Sequence, residues 1–540
     1  MLLKRQPPKA LAQALVLLLW GIVPLSWVYV IAYIAIRSYF VRDASELWRL
    51  ITSGRLPWQV AHRRRLVRWL SQRGLFCYAL LESSFSIYYR LLARKIQGRA
   101  GSHTATREFV VRAVTTGVSD GLEDIVPHLE QSKDKAKLPT VKAPLAFDDP
   151  RAVEFRHEMA GWFLGVRPEH ISLHDVQDWL SWSLFGKYYE EVIAEDSNAH
   201  DMKKFLAGAV DLFAARRGLP FPEKVDLTPK ERRNKRVMLL TLDPVHVNSR
   251  PLAMYVGTFL MNRVSQAYFS VLGMHRYEVD GYSYLIYMPA GWTPDAAARG
   301  EAPRPALFLH GLGLGVVQYI TAVQALVAPG GRPAMRPLLV PLQPWVSYEF
   351  FSKRFLRPWK YHEASTSIRH MLERHRLDKC GVNVLSHSMG TIVHTWLMRA
   401  WPELIHRSLF VDPVCFQLWA PHICYRFLYK PTDSFVEYVL RYFVARELGT
   451  ANVLMRHFDW SANVLLADDL PERSDPSHLR IYLAGADTVV KASSVIKFLK
   501  RSGFEERIEY EPDFHHGEFI LGPKNMMGKI VQALDQYSPM

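Results

Sequence analysis

Cysteine is scarce in this chain, and the marks of secretion are missing. Cys77, Cys380, Cys415 and Cys424 are the only four in 540 residues. They form neither metal-type spacing nor a disulfide framework, and are expected as buried thiols in a reducing compartment. No Asn-x-Ser/Thr sequon occurs, which argues against a lumenal catalytic domain. An acidic excess is absent too. The net charge is +15, and most of it sits in the first 99 residues, where sixteen Lys and Arg face only Asp43, Glu46 and Glu82. With 49% apolar residues the chain has enough material for a large core.

Charge is also missing from Ala10 to Ile36, a run rich in Leu, Val, Ile, Trp and Tyr. As a helix at 1.5 Å per residue it spans about 40 Å, enough to cross a hydrocarbon core of roughly 30 Å. It is too long for a signal-peptide core and lacks a clean cleavage site, so it reads as a retained anchor, with Gly21 and Pro24 leaving room for a kink or a hairpin. Basic residues flank it: Lys4, Arg5 and Lys9 before, and Arg37, Arg42, Arg49, Arg55, Arg63-Arg64-Arg65 and Arg68 after. Such a flank suits an anionic membrane face, and its bias places the C-terminal bulk in the cytosol. Endoplasmic reticulum or lipid droplet fit that placement. Nucleic acid is the other partner a basic patch suggests, but no nucleic-acid module is recognisable, and none is expected.

The chemistry-bearing residues lie in the second half. Asn383-Val-Leu-Ser-His-Ser388-Met-Gly390 is an apolar run ending in a serine with small residues two positions either side. A nucleophile elbow needs this pattern, because the sharp strand-to-helix turn leaves no room for larger side chains. Ser386 stands where glycine is more usual. Upstream, Ala306-Leu-Phe-Leu-His310-Gly311-Leu312-Gly313 is a strand ending in a glycine turn, able to aim a backbone N–H at an oxyanion. The expected donors are the N–H groups of Leu312 and Met389. Downstream, the strand-like Leu479–Ala484 precedes Asp487, and an alternating strand precedes His515 and His516. A serine hydroxyl needs an imidazole to take its proton, and the imidazole needs a carboxylate to orient it. Ser388, His516 and Asp487 are the expected catalytic residues. His515 competes with His516, and Asp412, after the strand-like Leu409–Val411, competes with Asp487. Asp513 and Asp469 read as solvated loop charges.

From about residue 275 to the C-terminus, these features in the order Ser, Asp, His resemble the serine α/β-hydrolase superfamily, its lipase and esterase branches in particular. Phe410-Val-Asp412-Pro-Val-Cys-Phe416 resembles, more weakly, uncharacterised membrane-anchored hydrolases of fungi and plants. The resemblance implies an α/β-hydrolase fold with a helical cap, a carboxylic ester of a lipid or other apolar molecule as substrate, and no metal or organic cofactor. Acyl transfer by the same triad and a non-catalytic α/β-hydrolase scaffold are the alternatives.

Three segments are expected: an anchor over 1–40, a mostly helical region over 41–270, and the hydrolase over 271–540. Residues 414–470 form its cap, because that stretch is far longer than an ordinary loop of about 4–6 residues. Its aromatics, among them Phe416, Trp419, Phe427, Phe435, Tyr438, Tyr442 and Phe443, are expected over the nucleophile. In the helical region, Leu75–Arg94 and Trp179–Val192 have helical spacing, and Trp179, Trp182, Phe185 and Tyr188 share one face. His170…Asp175 matches a His-x4-Asp acyltransferase pattern, taken as chance because no companion motif follows.

Overall fold

The computed structural model describes residues 7–40, 63–99, 106–119, 129–130, 135–141, 144–164, 166–194, 199–471, 476–522 and 524–535. Lys4, Arg5, Arg42, Arg49 and Arg55 of the basic flank lie outside these residues. The chain packs as two units. One comprises Met1–Gly98, His246–Leu260 and Thr432–Leu448, and the other comprises Arg99–Val245, Met261–Pro431 and Gly449–Met540.

The first unit is helical. Helix α1 (Lys9–Phe40) contains the uncharged run, and its Lys9–Ala35 portion, with a mean hydropathy of 2.3, is long and apolar enough to cross a membrane. It packs on α2 (Arg63–Lys95), where Tyr33 stacks on Phe76 at 4.2 Å and Trp27 Nε1 donates to Ser86 Oγ at 2.9 Å. It also packs on the Phe435–Leu440 helix. Most of its apolar surface is nonetheless uncovered: Leu11, Leu17, Leu18, Leu25, Val28 and Ile31 are all exposed. Buried polar pairs tie the rest together. Glu82, fully buried on α2, accepts the Leu252 N–H with both carboxylate oxygens at 2.9 Å, at the start of α3 (Leu252–Val271). A carboxylate there also complements the positive helix N-terminus. Burial raises the Glu82 pKa despite these bonds. Tyr255 donates to Glu447 at 3.0 Å and Tyr89 to the Asn248 carbonyl at 2.7 Å.

The second unit is built on an eight-stranded sheet. Its strands in chain order are β1 (Met274–Val279), β2 (Tyr282–Tyr287), β3 (Ala306–Leu309), β4 (Leu338–Pro341), β5 (Val382–His387), β6 (Ile405–Val411), β7 (Leu479–Ala484) and β8 (Ile508–Glu511). Across the sheet they run β8-β7-β6-β5-β3-β4-β2-β1. β1 pairs antiparallel with β2, and β2 with β4; every other pairing is parallel. Strands buried on both faces need unbroken apolar runs. Ala306–Leu309, Leu338–Val340 and Val384–Leu385 supply them, each residue at most 1% exposed. Helix α4 (Gly390–Ala400) follows β5 directly and is buried over Gly390–Met398.

Two sequence expectations change here. Trp179–Val192 is not one helix, because Leu173–Phe185 ends at Gly186, whose φ of 65° is left-handed, and a short helix restarts at Tyr189. Trp179 and Trp182 are buried, whereas Tyr188 stands outside both helices and is exposed. The insertion between β6 and β7 does carry helices, but Phe435, Tyr438, Tyr442 and Phe443 belong to the first unit, and Phe416, Trp419 and Phe427 to the second. His170 and Asp175 have ordinary structural roles: Asp175 caps its helix through Ser172, and His170 pairs with Glu231 at 2.9 Å.

Glu82→Ala leaves the α3 N-terminus without its buried acceptor. It should lower stability by about 1–3 kcal/mol, read as a fall in Tm of the detergent-solubilised chain, while Glu82→Gln loses less.

Candidate active site

The site grows out of the centre of the sheet. All six residues of β5 are buried, and Ser388 follows immediately with φ +52°, left-handed backbone for a non-glycine residue. Such strain costs of order 1–3 kcal/mol and persists only where its surroundings enforce it. Here Ser388 N–H bonds the Val411 carbonyl at 3.0 Å and α4 begins two residues later. A Cβ on Gly390 would lie 2.1 Å from the Leu309 carbonyl oxygen, so only glycine fits. Ser386, the departure from glycine at the other small position, is fully buried with its Oγ 2.8 Å from His394 Nδ1.

Three expected residues come together. His516 Nε2 lies 2.8 Å from Ser388 Oγ, and its Nδ1 lies 2.6 Å from Asp487 Oδ2. The other oxygen of Asp487 accepts the N–H groups of Val489 at 2.6 Å and Val490 at 3.0 Å, which fixes the carboxylate after β7. His515, the competitor, is turned elsewhere: its Nδ1 is 3.1 Å from the Ala486 carbonyl and its N–H bonds Glu518. Burial opposes charging of His516, but the Asp487 carboxylate, with Asp412 behind it, outweighs burial and raises the imidazole pKa to about 9.

Asp412 bonds backbone amides and not the His516 ring. It is fully buried at the end of β6, with φ +44°. Its Oδ2 accepts the Gly517 N–H at 2.6 Å and its Oδ1 the Ala484 N–H at 3.0 Å. One carboxylate therefore grips both the loop that carries His516 and the end of β7, three residues before Asp487. Burial, reinforced by repulsion from Asp487, raises its pKa to about 6. Ligand atoms of Asp412, Asp487 and His516 lie within 4.8 Å of one another, a spacing a cation would accept. Each of the four carboxylate oxygens already receives an N–H from the protein, however, so the cluster reads as a hydrogen-bond network.

The turn after β3 runs against the serine: a Cβ on Gly311 would sit 2.9 Å from Ser388 Cβ. Along this turn Gly311 N–H donates to Tyr319 Oη, Gly313 N–H to the Val346 carbonyl and Leu314 N–H to Gln318. Only Leu312 in that run keeps an N–H without a partner among the described residues, and Met389 N–H has none either. Those are the two donors expected from the sequence. Tyr319, which sequence patterns did not single out, is fully buried and lies 2.7 Å from His387 Nδ1. Burial, and then the nearby imidazole of His516, lower the His387 pKa well below 6.5, so the neutral ring accepts the tyrosine proton. The resulting line from Gly311 through Tyr319 to His387 holds the turn beside the elbow. No motif announces it, because Tyr319 sits in a short 3-10 turn and its partner is 68 residues away. Asp469 is not a free loop charge: it pairs with Arg112 at 2.7 Å and Arg399 at 3.5 Å, whereas Asp513 is exposed.

No protein-family model matches the chain, and no curated protein matches it. Solved structures do. An α/β hydrolase, MGS-MChE2, from a lagoon-sediment metagenome of Mar Chica, Morocco, is 16% identical, covering 47% of this chain and 95% of its own with a TM-score of 0.32. Carboxyl esterase 2 of the mycorrhizal fungus Tuber melanosporum is 14% identical over 48% of this chain and 84% of its own (TM-score 0.34). A bacterial membrane phospholipase A, described as a virulence factor, is 14% identical over 53% and 95% (TM-score 0.33). At these values the likeness carries no argument about activity. The strand–elbow–helix unit in a mostly parallel sheet, with acid and histidine following in that order, is itself diagnostic. The second unit has the α/β-hydrolase fold.

Asp412→Asn keeps the shape but offers one acceptor where two N–H groups converge. It should cost about 1–3 kcal/mol in stability and loosen the His516 loop, seen as faster hydrogen exchange of the Gly517 amide.

Proposed function

We propose that the chain is a membrane-anchored serine hydrolase cleaving a carboxylic ester of a lipid. The observation that carries this reading is the unbroken line Asp487–His516–Ser388, with both contacts at hydrogen-bond length. Ser388 Oγ attacks the acyl carbonyl carbon while His516 Nε2 takes its proton. The charge that develops on the carbonyl oxygen is met by the Leu312 and Met389 N–H groups, which have no partner among the described residues. Collapse of the tetrahedral intermediate breaks the ester C–O bond, and His516 returns the proton to the leaving alcohol. Water, deprotonated by the same imidazole, then releases the acid from the acyl-enzyme. Asp487 holds the imidazole in the tautomer with the proton on Nδ1 and stabilises the cation between these steps.

The lipid part rests on apolar surface. A cleft in the second unit, whose lining does not include Ser388, Asp487 or His516, is walled by Phe155, Trp162, Trp179, Trp182, Trp419 and Trp460. A buried methylene contributes roughly 0.8 kcal/mol, so such walls favour acyl chains. Anchoring rests on the exposed apolar face of α1, and the basic flank argues for the catalytic unit on the cytosolic side.

The detergent-solubilised chain should react with a fluorophosphonate probe, and Ser388→Ala should abolish labelling. Ester turnover should fall about 10⁴-fold or more in Ser388→Ala or His516→Ala. A folded wild type that never labels would overturn the reading. The base is the neutral imidazole, present above the His516 pKa, so labelling rate should rise with pH and reach half-maximum above 6.5, towards 9. Asp487→Asn removes the charge that raises this pKa, and should move the half-maximum down as well as lower the plateau.

A further inference from the structure

The Asp487 carboxylate is only as well placed as the turn that carries it. That turn, residues 487–490, lies between β7 and the helix Ala492–Arg501. The amides of Val489 and Val490 are spent on Asp487 Oδ1, and both valines are buried. Just before the turn, the Ala486 N–H bonds the Phe514 carbonyl at 2.9 Å, and the Ala486 carbonyl lies 3.1 Å from His515 Nδ1. The loop of His516 therefore moors one end. The carbonyls of Asp487 and Val490 remain, and in residues this buried each needs a donor.

Arg426 supplies it. This residue stands in the insertion between β6 and β7, on a π-helical turn (Tyr425–Tyr429) that follows the short helix His422–Cys424. Such turns are rare and occur frequently at functional sites. Its Nη1 donates to the Asp487 carbonyl at 3.1 Å and to the Val490 carbonyl at 3.3 Å. No other donor reaches either carbonyl among the described residues. A charged donor binds a carbonyl more strongly than a neutral one, and here a single nitrogen closes the turn at both ends. The insertion touches the turn's far end a second time, where His422 Nε2 lies 3.4 Å from Lys491 Nζ and 3.2 Å from Glu158 Oε1. Moving the turn would break both Arg426 bonds and displace Asp487 Oδ2 from His516 Nδ1, which it meets at 2.6 Å.

We propose that Arg426 is a positioning residue for the triad: by holding the Asp487 and Val490 carbonyls it sets the carboxylate that orients His516, and so makes the β6–β7 insertion a determinant of catalytic competence. The inference rests on reading Ser388, His516 and Asp487 as a working triad. Arg426 acts through the backbone of Asp487, and two opposite signs separate that role from a plain charge effect. The His516 ring faces Asp487, Asp412 and the neutral His387 ring, whose centroid is 5.3 Å away. Removing a nearby cation by itself favours the imidazolium and raises the His516 pKa. Loosening the Asp487 contact lowers it.

The test compares wild type, Arg426→Met and Arg426→Lys as full chains in detergent. Methionine keeps an apolar stem without a donor, and lysine restores one charged nitrogen, which is all that the two bonds use. Three quantities are read: the rate of fluorophosphonate labelling, deuterium exchange at the amides of Val489 and Val490, and deuterium exchange at His516 Cε1 against pH, whose midpoint reports the imidazole pKa. Arg426→Met should label about tenfold more slowly. Its two valine amides should exchange about tenfold faster, and the His516 midpoint should fall by about half a pH unit. Arg426→Lys should recover most of each change. A midpoint that stays or rises, or valine amides that exchange at the wild-type rate, overturns the proposal. So does faster exchange spread equally through β5 and β7, the mark of an ordinary structural contact. A wild type that never labels defeats the hydrolase reading instead, and the exchange readouts, which need no turnover, still decide the role of Arg426.

Discussion

Between the end of β3 and the start of α4 the backbone approaches so closely at Gly390 that a single methyl group would overlap the Leu309 carbonyl. The rest of the site follows from that contact. It lets α4 start directly behind the elbow, which forces Ser388 into left-handed backbone and lifts its Oγ clear of the sheet. It also brings the turn after β3 against the serine, so that the unpaired N–H of Leu312 and that of Met389 belong to one small region. Parallel neighbours β3 and β5 deliver both parts at the same edge because parallel strands end at the same side of a sheet.

Around the histidine the controlling term is charge. Two buried carboxylates face one imidazole from different strands, and each is held by backbone N–H groups rather than by basic side chains. Donors of that kind keep a carboxylate in position without neutralising it, so its full field acts on His516. Asp412 sits one strand nearer the centre than Asp487, and it spends its oxygens on loop amides instead of on the ring. The two acids therefore divide the labour: one orients the imidazole, the other fixes the loop from which it projects.

Each unit uses apolar surface differently. The first buries polar pairs such as Glu82 with Leu252 and Tyr255 with Glu447, while leaving much of α1 uncovered. In the second, the sheet is covered and the aromatics gather into a cleft. The Lys9–Ala35 portion of α1 is long and apolar enough to cross a membrane.

Ser388, Asp487 and His516 were legible in the sequence because the elbow imposes small residues at fixed spacing and because the order of strands fixes the order of residues. Leu312 and Met389 followed from the same local geometry, and the uncharged stretch of α1 from composition alone. Other features depended on distance along the chain. The choice of His516 over His515 turns on which ring a loop points inwards, and Asp412 against Asp487 on which of two strand ends lies opposite that ring. Tyr319, the break at Gly186 and the assignment of Thr432–Leu448 to the first unit left no periodic trace, since each is decided by partners far away in sequence. Local sterics wrote the elbow and its turn into the sequence by itself; only the tertiary structure, which sets Asp487, His516 and Ser388 in one hydrogen-bonded line and Tyr319 against His387, decided which acid, which histidine and which tyrosine stand in the site.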